Sequence, residues 1–145
     1  MELYDGSLNI PEITARWYNE IKEQNQGAFI TFVGIVRAED GIEALSFDIY
    51  EPLLRSWLNS WQEKAKAQNA SVKFAHSKGV VAVHTSSYIA AVISPKRKVA
   101  LKLINEFVED FKANAPIWKY DVVGGKRIYA ENRSQKLKGA GILAF

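Results

Sequence analysis

The sequence contains no cysteine and two histidines, His76 and His84. Without cysteine the chain cannot form disulfides, bind zinc through thiolates or use a cysteine nucleophile. No group of carboxylates accompanies either histidine, and isolated imidazoles provide too few ligands for a typical metal site. We therefore expect a protein with no metal site. We also expect no cofactor.

Long apolar runs are missing as well. No stretch approaches the roughly 18 consecutive apolar residues that suggest a membrane span. Residues 1–5 lack the basic start and the apolar stretch of a signal peptide. The sequence therefore predicts a cytoplasmic protein that does not bind membranes.

Acidic residues are scarce near the C-terminus. The net charge is +3, but residues 1–111 contain 12 basic and 14 acidic residues, whereas residues 112–145 contain 7 basic and 2 acidic residues. This local basicity favours an anionic small molecule or an acidic patch on a partner protein. Because the basic residues do not follow one helix or strand in a recognised nucleic-acid-binding pattern, we do not expect nucleic acid as a ligand.

The length of 145 residues, with 48% hydrophobic residues, suits one domain that spans residues 1–145. Apolar residues four apart, together with Pro11, predict a short helix over residues 11–25 that ends by Gly27. The β-branched and aromatic run 28–36 predicts a central strand, and the alternation over 45–50 predicts a second strand. We expect these two strands to pair as a hairpin.

The rest of the chain mixes strands and helices. A helical stripe runs from Pro52 to about Gln68, and Ser94 followed by Pro95 predicts the N-cap of another long helix. Strands are predicted at 72–76, 80–84 and 88–93, with a turn at 77–79, and a closing hairpin is predicted at 120–123 and 127–131. Since strands and helices do not alternate regularly, we predict an α+β fold with a mixed sheet and two long helices.

Two lysines, Lys112 and Lys119, flank the run Ala-Asn-Ala-Pro-Ile-Trp. Pro116 cannot continue a helix, so Lys112 should lie on a last helical turn and Lys119 on the segment that turns back. Two amines held together in a partly dry pocket disfavour each other's charged form, and a lysine in such a place can act as an acid or base near neutrality. Alternatively, Lys112 caps helix carbonyls and Lys119 is an ordinary strand residue.

A second cluster of cations occurs at the start of the same helix, where Lys96, Arg97 and Lys98 meet the positive end of the helix dipole. An anion such as phosphate, held there by backbone N–H groups and these side chains, would offset the repulsion. Alternatively, the three side chains extend into water. Arg97 and Lys112 are about 22 Å apart along a helix, so one small ligand reaches both only if a homodimer brings the two helix ends together.

The sequence resembles the large, catalytic subunit of molybdopterin synthase over residues 27–134. The resemblance depends on motifs that occur in the same order as in that family: residues 31–37 (TFVGIVR), His76 followed by Gly79, residues 94–97 (SPKR), residues 112–119 (KANAPIWK) and residues 131–134 (ENRS). Each motif is short, but the ordered set is specific, especially the lysine on both sides of the Ala-Pro-x-Trp run.

The resemblance implies an α/β hammerhead fold and a homodimeric core that forms a heterotetramer with a small ubiquitin-like sulfur-carrier subunit. The C-terminal Gly-Gly tail of that partner, charged as a thiocarboxylate, would enter the active site of this chain. Two sulfur transfers would convert cyclic pyranopterin monophosphate into the dithiolene of molybdopterin, in molybdenum cofactor biosynthesis.

The resemblance also implies roles for individual residues. Lys119 would serve acid–base chemistry or hold the reacting carbon, and Lys112 would stabilise negative charge during attack by the thiocarboxylate. The substrate's phosphate and pterin would be bound by Arg37 and Arg97, with Phe32 lining the pocket. A neighbouring subunit would contribute Arg133.

Lys96 departs from the family pattern, which commonly has histidine at this position. The lysine keeps a positive charge but lacks the titrating imidazole. We interpret His76 as a structural, buried imidazole bound to backbone groups at a strand end. An alternative function is a non-catalytic adaptor that binds a ubiquitin-like protein through its basic C-terminal region.

Overall fold

The structure, a computed structural model, describes residues 1–129. Within this range lie the helices α1 (Ile10–Ile21), α2 (Glu51–Lys66) and α3 (Arg97–Asn114). The strands in the same range are β1 (Glu2–Asp5), β2 (Ala28–Ile35), β3 (Ala44–Ile49), β4 (Ser71–Ala82), β5 (Ser86–Ser94), β6 (Ile117–Val123) and β7 (Lys126–Tyr129). None of the helices in the described range is both long and apolar enough to cross a membrane.

The strands form one sheet in the order β2-β5-β4-β3-β6-β7, and β1 pairs with β4. The β1–β4 pair is parallel, whereas the other pairs are antiparallel. Helices and strands do not alternate regularly along the chain. The predicted α+β class with a mixed sheet and two long helices is therefore confirmed.

The core has a layer of helices on each face of the sheet. Helices α2 and α3 pack on one face, and α1 packs on the other. Strand β5 contributes to both faces, because successive side chains along a strand point in opposite directions. Ala90 and Val92 belong to the cluster with α2 and α3, whereas Ile89, Ala91 and Ile93 belong to the cluster with α1.

Strand β2 forms where the sequence predicts it, but two predictions about its place are wrong. It ends the strand order instead of lying at the centre, and it pairs with β5 instead of forming a hairpin with β3. The apolar run has a different cause: Ala28 and Ile30 pack against the cluster of α2 and α3, while Phe29 and Val33 pack against the cluster of α1. A strand that is partly covered on both faces is apolar over much of its length, whatever its position in the sheet.

Strand β4 is also different from the prediction, which divided it into two strands at a turn over 77–79. The strand is continuous for 12 residues. Ser77 and Lys78 pair with β1 in parallel register, which keeps the segment extended. Gly79 has a φ of +75°, and beyond it the strand pairs with β3. The turn signal therefore marks a change of partner strand.

The predicted helix boundaries need two corrections. Helix α1 ends at Ile21 instead of continuing to residue 25, and Asn25 adopts a left-handed φ of 56° before Gly27 is reached. Helix α3 begins at Arg97, with Lys96 and not Ser94 as its N-cap. Ser94 belongs to β5, and its Oγ accepts a hydrogen bond from the backbone N–H of Lys96 at 3.1 Å.

The remaining predicted elements are close to those observed. Helix α2 ends at Lys66, near the predicted residue 68, and the hairpin of β6 and β7 turns at Gly124 and Gly125, both with positive φ. Residues 130 and 131, which the prediction included in the last strand, lie outside the described residues. The prediction of a single domain over 1–145 stays a prediction for the same reason.

Glu2 connects β1 to α1. Its carboxylate accepts hydrogen bonds from the Arg16 guanidinium at 2.7 and 3.1 Å, from Trp17 Nε1 at 2.7 Å and from the Tyr4 hydroxyl. Burial opposes ionisation of Glu2, but the hydrogen bonds outweigh it and lower the pKa of Glu2 from 4.5 to about 2. The charged form of Glu2 therefore stabilises the fold.

We expect the free energy of unfolding to decrease as the pH falls from about 4.5 to about 2, because the carboxylate stabilised in the folded state becomes protonated. Glu2→Gln should lower the free energy of unfolding at pH 7 by about 1–3 kcal/mol, and this difference should shrink as the pH falls through that window. Urea unfolding at several pH values measures both effects. Glu23→Gln, which removes an exposed carboxylate, is the control; parallel pH curves for Glu2→Gln and the wild type would contradict the prediction.

Candidate functional site

The turn after α3 brings the two candidate lysines to the same region. Ala115 is extended, with φ −64° and ψ 132°, and Pro116 follows it, so the helix ends at Asn114. The N–H of Ala115 donates to the carbonyl of Phe111 at 3.1 Å, and the N–H of Ile117 donates to the carbonyl of Ala115 at 2.8 Å. As the sequence predicts, Lys112 lies in the last helical turn and Lys119 lies on the returning strand, β6.

A cavity of about 750 Å³ opens between the end of β2, strand β3 and the end of α3. Four of the residues singled out in the sequence line it: Phe32, Arg37, Lys112 and Lys119. They come from three separate elements and from the segment after β2. The fold therefore gathers three cations around one opening within a single chain.

The walls of the cavity are mostly apolar. Strand β3 contributes Leu45 and Phe47, and α3 contributes Val108 and Phe111. Lys119 is half-buried, whereas Lys112 and Arg37 are exposed. The cavity thus offers cationic groups at its margin and apolar surface inside, which suits a ligand that combines an anionic group with a flat or apolar body.

Arg37 forms an ion pair with Glu39, the acidic residue that lines the cavity within residues 1–129. The Arg37 side chain is 82% exposed. Exposed ion pairs contribute little to stability because water screens them. Arg37 can therefore exchange this carboxylate for the anionic group of a ligand.

His76 is buried and lies in the cavity wall. Its Nδ1–H donates to the carbonyl of Ser77 at 2.7 Å, and the ring of Phe47 meets it edge-on at 5.0 Å. Burial lowers the pKa of His76 to about 4, although the hydrogen bond to Ser77 opposes this change. The imidazole is neutral at neutral pH, as expected for a buried structural histidine, but it lies within β4 and not at a strand end as the sequence suggested. Among the described residues, no group of three or more His, Asp or Glu side chains could hold a metal ion.

The structure does not bring every predicted site residue together. Lys96 and Arg97 lie at the start of α3 and do not line the cavity. The helix is continuous from Arg97 to Asn114, so Arg97 is about 22 Å from Lys112 along the axis. Arg133 lies outside the described residues. A site completed by a second subunit stays a prediction.

Sequence reasoning missed several residues of the cavity wall, notably Gly34, Tyr88 and Phe111. Phe111 directly precedes Lys112 in the last turn of α3, and its ring also lines the cavity. Tyr88 reaches the cavity because β5 pairs with β2, with Tyr88 opposite Gly34. The expected pairing of β2 with β3 concealed this contact, and no local signal in the sequence indicates it.

Comparison with known proteins gives consistent matches. Residues 8–114 match the family described as MoaE protein. The chain is 49% identical over 144 residues to the molybdopterin synthase catalytic subunit of Helicobacter pylori (strain ATCC 700392 / 26695), with 99% of both chains covered. It is 40% identical to the protein of the same name from H. pylori strain J99, again with 99% of each chain covered.

The fold is matched by a solved structure described as a protein–protein complex of subunits 1 and 2 of molybdopterin-converting factor from H. pylori 26695. The TM-score is 0.92 at 49% identity, and the match covers 99% of this chain and 98% of the other. The resemblance inferred from the ordered motifs is confirmed. The chain therefore belongs to the MoaE protein family, the family of molybdopterin synthase catalytic subunits.

Proposed function

We propose that the cavity is the site at which sulfur passes from the C-terminal thiocarboxylate of a small ubiquitin-like subunit to cyclic pyranopterin monophosphate, which becomes the dithiolene of molybdopterin. The observation that carries the proposal is that Arg37, Lys112 and Lys119 line one cavity with apolar walls. Both proposed reactants are anions, one at a phosphate and the other at a thiocarboxylate. A cluster of cations attracts both and stabilises the negative charge that develops between them.

The dimensions of the cavity suit these reactants. Its volume of about 750 Å³ falls within the range of roughly 300–1,000 Å³ that is usual for small-molecule sites. Phe32, which is 41% exposed, and the apolar walls provide surface for a flat ring system. A tail that ends in Gly-Gly has no side chains near its end, so it can enter a cavity that a bulkier chain could not.

The two lysines have different surroundings, which supports different roles. Lys119 is half-buried on β6, opposite the buried Phe47 in the strand register, and we assign it to acid–base chemistry or to holding the reacting carbon. Lys112 is exposed at the margin, where it stabilises the negative charge of the attacking group. Each transfer forms a carbon–sulfur bond at a pterin carbon that loses a carbon–oxygen bond, and the oxygen leaves as water or stays on the phosphate. Water then cleaves the bond between this sulfur and the tail carbonyl, which leaves a carboxylate on the tail and a thiolate on the pterin.

Substrate binding involves Arg37 and Phe32 from the same chain. Because Lys96 and Arg97 lie at the far end of α3, we assign them, together with Arg133, to the site of a neighbouring subunit in a homodimer. The matched H. pylori structure is a complex of two different subunits. It supports a small partner subunit here, and a heterotetramer with two equivalent sites follows from twofold symmetry.

We expect Lys119→Ala to lower the rate of molybdopterin formation by about 100-fold or more, because a group that acts on the reacting atoms is lost. The measurement is a reconstituted assay with the thiocarboxylated small subunit and the pterin precursor. Lys102→Ala, an exposed change elsewhere on α3, is the matched control and should keep full activity. A fully active Lys119→Ala protein would remove the catalytic role.

A site shared between subunits is tested by mixing two inactive variants. When Lys119→Ala and Arg97→Ala chains are co-expressed, each mixed dimer contains one site with both residues intact and one with both replaced. Activity should therefore return to about a quarter of the wild-type value for random pairing. No recovery, with mixed dimers verified by mass spectrometry, would show that Arg97 and Lys119 do not act in one shared site.

The alternative of a non-catalytic adaptor leaves the cationic cavity without a role. Native mass spectrometry of the complex with the small subunit, with and without added precursor, separates the two functions. We expect a mass increase that corresponds to the bound pterin, and we expect Arg37→Ala to weaken it, because the phosphate loses a cation. Partner binding with no retained pterin would favour the adaptor.

A further inference from the structure

Gly34 lies in the cavity wall on β2, directly opposite Tyr88 on β5. A Cβ atom at position 34 would lie 2.5 Å from both Cδ1 and Cε1 of Tyr88, well inside van der Waals contact. The backbone of Gly34 does not have a positive φ. Glycine is therefore required here for space and not for backbone freedom: the ring of Tyr88 fills the place of a side chain.

The ring of Tyr88 cannot move away from Gly34 easily. It stacks on Phe111 with the ring centroids 4.2 Å apart, and it is nearly parallel to the ring of His76 at 5.8 Å. Phe32 and Phe74 contact it at 5.7 and 6.2 Å. Tyr88 is 8% exposed. Aromatic rings packed in this way resist displacement, because protein interiors contain little empty volume.

The stack connects two walls of the cavity. On one side Tyr88 rests on β2, the strand that carries Phe32 and leads to Arg37. On the other side it contacts Phe111, which directly precedes Lys112 in the last turn of α3. We propose that Tyr88, seated on Gly34, is a positioning residue that fixes the separation between β2 and the end of α3 and thereby holds Lys112 at its working distance from the reactants.

The kinetic test of this inference rests on the proposed function, whereas the structural test of Gly34→Ala does not. A methyl group at position 34 forces the Tyr88 ring off the strand, and the ring then displaces Phe111 and the turn that bears Lys112. Small misplacements of a group that acts on a transition state can lower rates by about 100-fold. Binding depends less on such a shift, because cations attract an anion over several ångströms.

We expect Gly34→Ala to lower kcat by about 10- to 100-fold while KM changes less than about threefold. Tyr88→Phe keeps the ring and should stay within about twofold of the wild type. In a Tyr88→Val background, adding Gly34→Ala should change kcat by less than about twofold, because no ring remains to be displaced. Gly125→Ala, which strains a positive φ of 75° in the distant β6–β7 turn, controls for loss of stability alone and should keep kcat.

Two kinetic results would overturn the inference. One is a Gly34→Ala protein with a lower Tm but wild-type kcat in its folded fraction; the other is an equal kcat loss from Gly34→Ala with and without Tyr88. A crystal structure of Gly34→Ala tests the geometry without the reaction. The inference would also be overturned if Phe111 and Lys112 kept their wild-type positions in that structure. Absence of product from the wild-type complex would instead refute the proposed function, and the crystal structure would still decide the positioning role.

Discussion

The end of α3 is the constraint on which the site depends. A proline one residue after an extended alanine stops the helix and returns the chain to the sheet within three residues. The two lysines that flank this turn are therefore held on different elements, a helix and a strand, yet line the same cavity. A longer loop in this place would leave both amines free to separate, since like charges repel.

The sheet provides the opposing half of the site. Strand β5 is buried on both faces by helices, so it is fixed in position, and β2 is paired to it over eight residues. The cations from the β2 end and from the α3 turn thus line one cavity above an apolar base. Lys119, which is half-buried beside this base, is less screened than a charge in open water, which strengthens its attraction for an anion.

Local signals in the sequence were sufficient for most elements and for part of the site. The proline at 116 and the flanking lysines predicted the turn correctly, and the helical stripe predicted the end of α2 within about two residues. The Ser94–Pro95 pair predicted the start of α3 a few residues too early. Pairing between strands was not predictable in this way. The apolar run of β2 indicated burial without indicating which strand lies beside it, and Gly79 looked like a turn because nothing local reveals the parallel pairing with β1.

The same limit explains the incomplete site. Lys112 and Lys119 are close in sequence, so a turn signal places them together. Gly34 and Tyr88 are 54 residues apart and meet only through strand pairing. A single sequence contains no local signal for side chains that shape the cavity from distant strands. Charged residues beside a helix-breaking proline can be recognised from the sequence.

The ion pair of Arg37 with Glu39 means that this arginine already holds a carboxylate before a ligand arrives. An anion that binds Arg37 therefore takes part in an exchange, in which one carboxylate leaves the guanidinium as another group arrives. The net free energy of binding at Arg37 is the difference between its interaction with the arriving anion and its interaction with Glu39. Such competition favours an anion that offers two oxygens to the planar guanidinium, as a phosphate does.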